Sequence, residues 1–140
     1  MNVGDIMMPA SKIDASSTVT EAARFMAEHN THSVFVESQG KVKGIVTESD
    51  IVRKVVSQGI DSRRIMVYDI MTSPVVSVGK ETSLEDASEL MTRHKIRRLA
   101  IVEKGRIVGK VTAALIAKNL KYYMSVRMFR DDSMQRHSII

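Results

Sequence analysis

Two short stretches of this sequence carry residue types that could do chemistry. In Gly44-Ile45-Val46-Thr47-Glu48-Ser49-Asp50 a hydroxyl and a carboxylate stand three residues apart, at Thr47 and Asp50. That spacing is a helix N-cap pattern, in which the threonine oxygen meets a backbone N–H of the first turn. The pair is also a set of acceptors: a carboxylate can accept hydrogen bonds from two hydroxyls, and a threonine hydroxyl adds a further contact. In Arg93-His94-Lys95-Ile96-Arg97-Arg98 the cations crowd together just ahead of an apolar run. An anionic group needs Lys or Arg at close range, because charge-assisted hydrogen bonds are roughly twice as strong as neutral ones. Arg93 and Lys95 equally suit a solvated helix C-terminus, where cations complement the dipole.

Other chemistries are poorly served. The chain has no cysteine, which rules out disulfides, thiolate nucleophiles and Cys-based metal sites. His29, His32, His94 and His137 lack the spacing of a zinc site, so no metal is expected. No Ser-His-Asp spacing and no paired acids suggest catalysis, so no enzymatic activity is expected either. Of the ten methionines, Met26 and Met91 sit on helix faces and read as core, while those near the C-terminus read as interface.

The totals set the frame. A chain of 140 residues with 44% hydrophobic and 26% charged residues has the composition of a soluble globular domain, too short for a separate catalytic domain. The N-terminus lacks a basic and apolar leader, and no apolar run is long enough to span a membrane. With cysteine absent as well, a cytoplasmic setting is expected. The net charge of +5 is unevenly placed: residues 1–67 hold 8 Lys and Arg against 8 Asp and Glu, and residues 68–140 hold 13 against 8. Excess positive charge therefore belongs to the second half and points to anionic partners.

The elements that must hold these residues come from a duplication. Val3-Gly4-Asp5-Ile6-Met7 resembles Val67-Tyr68-Asp69-Ile70-Met71, and beyond the nearby prolines an offset of 65 residues pairs Ala22 with Ala87, Met26 with Met91, Gly44 with Gly109 and Thr47 with Thr112. In each copy a short extended segment leads to a hydroxyl-capped helix, starting at Thr18 and at Ser83, with an apolar stripe at helical spacing. Two β-rich runs joined by a glycine turn follow, then a second helix from about Glu48 to Ser57 and from about Ala113 to Tyr122. The fold class is thus α/β (α+β), two βαββα repeats. The first repeat is placed at 1–56, a linker at 57–66, the second repeat at 67–122 and a C-terminal extension at 123–140. A unit of about 60 residues buries too little surface alone, so the copies are expected to pack sheet to sheet with pseudo-two-fold symmetry.

The repeat, its Asp-Ile-Met openings, the Arg-Arg-Leu-Ala-Ile-Val strand and the Gly44 to Asp50 junction together resemble a tandem pair of CBS domains. That resemblance implies a regulatory module binding an adenosyl ligand (AMP, ADP or ATP, or an S-adenosylmethionine-type compound) in a cleft between the repeats, with no catalytic cofactor. It places Thr47 and Asp50 on the ribose with Ser49 beside them, Ile45 and the segment from Thr72 to Val76 around the adenine, and Lys95, Arg97 and Arg98 on the phosphates. In the second copy Leu115 stands where Asp50 stands in the first. One competent site per chain is therefore expected.

As for partners, the resemblance implies a homodimer, supported by the apolar helix face Ile51, Val52, Val55 and Val56, and an effector protein the sequence does not name. The competing reading is a nucleic-acid-binding module using the basic second half. Three Phe, three Tyr and no Trp leave little for base stacking, so nucleic acid is the weaker fit.

Overall fold

A computed structural model describes residues 1–122 and Ser125. The C-terminal extension placed at 123–140, its methionines included, lies outside the described residues apart from Ser125.

In the first copy a helical turn α1 (Val3–Ile6) precedes β1 (Lys12–Asp14), α2 (Val19–Glu28), β2 (Ser33–Ser38), β3 (Lys41–Thr47) and α3 (Glu48–Ile51), which runs on as a π-helical turn over Val52–Val56. The second copy repeats the series as α4 (Val67–Ile70), β4 (Ser77–Val78), α5 (Leu84–His94), β5 (Arg98–Glu103), β6 (Arg106–Thr112) and α6 over residues 113–122. Each copy makes a three-stranded sheet, its first strand parallel and its last antiparallel to the middle one. Both hairpins turn on two residues of positive φ, Gln39-Gly40 and Lys104-Gly105, as a type I′ turn requires.

The helix starts follow their caps. Thr18 Oγ1 accepts from the Glu21 N–H at 3.1 Å and Ser83 Oγ from the Asp86 N–H at 3.0 Å. Val19, Ala22 and Met26 then bury one face of α2, and Leu84, Ala87 and Met91 the matching face of α5.

Packing departs from the sequence repeat at the openings of the copies. Val3 of α1 is buried in the core of the second copy with Leu84, Leu99 and Val111, while Val67 and Ile70 of α4 are buried in the core of the first with Val19, Val34 and Val46. Each copy thus lends its opening turn to the other. Met8 bridges to Lys110 of β6, and Thr72 to Ile45 of β3. These crossings explain Gly44 and Gly109: a Cβ at Gly44 would stand 2.9 Å from the Thr72 carbonyl oxygen, and one at Gly109 would stand 3.1 Å from that of Met8. Between the sheets a third cluster, Phe35, Ala100 and Ile107, closes the sheet-to-sheet interface.

On α3 only part of the expected apolar surface remains exposed. Val55 is fully buried in the first core, whereas Val52 and Val56 are 57% and 66% exposed.

Candidate ligand site between the repeats

A cavity of about 610 Å³ opens where the end of β3 and the start of α3 face the start of β5. All nine residues expected at the site line it: Ile45, Thr47, Ser49 and Asp50 from the first copy, and Thr72, Val76, Lys95, Arg97 and Arg98 from the second. The fold brings together residues up to 53 positions apart in the chain.

On the first-copy wall Thr47 ends β3 in extended conformation and caps α3. Its Oγ1 accepts from the Asp50 N–H at 3.2 Å, and the Asp50 carboxylate returns to the Thr47 N–H at 2.9 Å and to the Thr47 hydroxyl at 3.1 Å, all through Oδ2. The capping role of this pair is therefore real. Asp50 Oδ1 is engaged separately, by Lys54 Nζ at 3.1 Å, and Lys54 is itself fixed by donating to the Ile70 carbonyl at 2.9 Å. The carboxylate is only 13% exposed, yet it borders the cavity, held in one orientation by a cation one turn along the helix.

The second-copy wall is basic. Lys95 takes a left-handed φ of 54° that ends α5 and turns the chain into β5 within three residues. Lys95, Arg97 and Arg98 consequently file past the cavity, and among the described residues none makes an ion pair with a carboxylate. Arg98 also has a buried Nη1 without a hydrogen-bond partner. A buried donor left unpaired costs free energy that an incoming acceptor recovers.

Pro74 and Val75, within the expected segment from Thr72 to Val76, add apolar surface. Phe35 and Ile96, apolar walls not anticipated from the sequence, add more, and His32 and Glu48, also unanticipated, line the cavity with Nδ1 and Oε1 3.1 Å apart. An apolar wall with a carboxylate at one end and cations at the other suits a flat heteroaromatic group carrying hydroxyls and an anionic tail.

At the pseudo-symmetric junction Thr112 Oγ1 accepts from the Leu115 N–H at 3.1 Å, so the cap survives while the carboxylate is gone. Lys54 is replaced there by Asn119, which donates to the Leu115 carbonyl at 2.8 Å. Among the described residues no group of three or more His, Asp or Glu side chains could hold a metal ion, and no helix is long and apolar enough to cross a membrane.

The profile of the CBS domain matches residues 3–57 and, a second time, residues 67–122. The chain is a tandem CBS domain protein. Its CBS pair is 39% identical over 107 residues to CBS domain-containing protein YhcV of Bacillus subtilis, a match spanning 76% of each chain. Two solved structures superpose with a TM-score of 0.76 at 31% identity. One is an uncharacterized conserved protein from Pyrococcus horikoshii, matched over 84% of this CBS chain and 90% of that one. The other is a hexameric CBS-CP12 protein from bloom-forming cyanobacteria, matched over 84% of this chain and 66% of that one. Other curated relatives are longer, the match spanning 50% of one and 13% of another.

Proposed function

We propose that this CBS pair is a non-catalytic sensor that binds an adenine nucleotide, one molecule per chain, in the cavity between its repeats and passes that state to a separate effector protein. The carrying observation is the joint wall: the Thr47–Asp50 junction of one repeat and the unpaired cations Lys95, Arg97 and Arg98 of the other border the same cavity. Asp50 accepts from the ribose hydroxyls, Ile45, Thr72 and Val76 flank the adenine, and the cations take the phosphates.

Charge also chooses between ligand classes. S-adenosylmethionine presents a sulfonium cation where a nucleotide presents phosphate, and a wall of unpaired cations repels the first and attracts the second. The reading includes a homodimer through the face bearing Val52 and Val56, checked by sedimentation at micromolar concentration; a strict monomer there removes that part.

Calorimetry with AMP, ADP, ATP and S-adenosylmethionine tests the ligand. Binding of at least one nucleotide at a stoichiometry of about one, weakened by Asp50→Ala and by Arg98→Ala, is the expected result. No nucleotide binding below millimolar concentration, or unchanged affinity in both variants, defeats the reading.

A further inference from the structure

Lys54 stands where the two walls of the cavity meet. It lies in the π-helical turn after α3, and its ammonium reaches Asp50 Oδ1 at 3.1 Å in the first repeat and the Ile70 carbonyl at 2.9 Å, at the end of α4 in the second. Just past Ile70, Thr72 exchanges backbone hydrogen bonds with Ile45 at 2.9 and 3.0 Å, and both of those residues line the cavity. One side chain is therefore bonded to the carboxylate of one wall and to the stretch of chain that becomes the other.

The acceptors of Asp50 give that contact a consequence. A carboxylate offers about four acceptor positions. Oδ2 takes the Thr47 N–H and the Thr47 hydroxyl, and Oδ1 takes Lys54. What is left for a ligand hydroxyl lies on Oδ1, the atom whose direction Lys54 sets. The torsion that carries an aspartate carboxylate is broad, so anchoring at Oδ2 alone would leave Oδ1 loosely aimed.

The pseudo-symmetric position supports the pairing from a different side. Asn119 stands there, and it donates to the Leu115 carbonyl of its own helix. Where the junction has no carboxylate to hold, the position one turn on carries no cation. An ion pair whose lysine is 44% exposed also contributes little to stability, so placement is the larger part of what Lys54 does.

We propose that Lys54 is a positioning residue for ligand recognition: by tying Asp50 Oδ1 to the end of α4 it aims the acceptor that a ribose hydroxyl meets, and so lets the site tell ribonucleotides from deoxyribonucleotides. The proposal rests on the adenine-nucleotide reading.

Titration calorimetry of the full chain with AMP, ADP and ATP, each beside its 2′-deoxy and 3′-deoxy counterpart, on the wild type, Lys54→Met, Lys54→Ala and Lys54→Arg, tests it, with a thermal melt confirming that each variant folds. For at least one of the two hydroxyls the wild type should bind the deoxy form roughly tenfold to a hundredfold more weakly, the loss of one bond to a charged acceptor. In Lys54→Met and Lys54→Ala that ratio should fall below about threefold, because the ribonucleotide weakens and the deoxy form hardly changes. Lys54→Arg, which keeps a charged donor, should recover most of the ratio. Weaker binding with the ratio kept marks a merely structural role and overturns the proposal, as does a wild type that binds a nucleotide without discriminating. Where the uncharged variants bind too weakly to measure, Lys54→Arg decides: recovery of binding together with the ratio supports the role, and no recovery overturns it. A wild type that binds no nucleotide at all defeats the adenine reading itself, and this role with it, an outcome read before any variant is made.

Discussion

The two strand-to-helix junctions of this molecule share a backbone and differ in chemistry. Thr47 and Thr112 cap their helices alike, accepting an N–H at 3.2 Å and 3.1 Å, although only the first has a carboxylate three residues on. Leu115 shows that the helix starts without that carboxylate. Asp50 and its partner Lys54 are thus not general to the junction, and in the second copy Leu115 and Asn119 have taken both places. The positions matching the walls of the first cavity differ as well. An offset of 65 sets Lys110 where Ile45 lines the first cavity and Thr31 where Ile96 does, and these two polar replacements hydrogen-bond to each other.

The comparison is best broken at Asp50. Losing one or two charge-assisted bonds, Asp50→Ala should weaken nucleotide binding by roughly thirtyfold to a thousandfold, whereas Leu115→Ala should change it by less than about twofold, both read by calorimetry. Equal effects from the two would erase the distinction between the junctions. Next in size are the crossings. Gly44→Ala should cost ~1–3 kcal/mol in denaturant unfolding, as overpacking does, and Gly109→Ala less, because its added Cβ meets the opposing carbonyl at 3.1 Å and not 2.9 Å.

Smaller effects sharpen the shared part. Thr47→Ala and Thr112→Ala should each cost ~1 kcal/mol of stability, the ordinary value of a lost N-cap. Only Thr47→Ala should also weaken the nucleotide. The smallest shift is expected at Lys110, where Lys110→Met should raise the melting temperature of the ligand-free protein by roughly 1–4 °C, through removal of an uncompensated cation. The sign follows from linkage. A lysine held below its ordinary value, by burial first and the Arg98 guanidinium second, opposes folding while it is charged, so the gain should be full at neutral pH and shrink as the pH rises toward 10.5, where the unfolded chain also loses the proton.

Much of this is legible in the sequence, and the reasons differ by residue. Thr18 and Ser83 announce helix starts because capping is local, and Gln39-Gly40 and Lys104-Gly105 announce hairpins because a two-residue turn admits few residue types. The nine site positions were reachable through the resemblance, which pairs a carboxylate of one copy with cations of the other. Phe35 and Ile96 were not, since an apolar cavity wall has the same composition as a core. The signal for Lys54 was present and unread: an Asp and a Lys four apart on one helix form a pair. Val55 was grouped with Val52 and Val56 on one apolar face, whereas the structure buries Val55 in the first core and leaves the other two exposed. The exchange of α1 and α4 had no local signature at all, because periodicity tells that a residue is buried and not in which core.

That exchange makes the two repeats a clasp. Each core is completed by a turn of helix that the chain supplies from the far side of a boundary, Val3 to one and Val67 with Ile70 to the other. A protease cut in the loop after Gly59 would leave two fragments that hold on to each other, each keeping the piece its neighbour cannot fold without. The segment from Thr72 to Val76 that walls the cavity begins two residues beyond that clasp, so one continuous stretch of chain is both fastening and cavity wall.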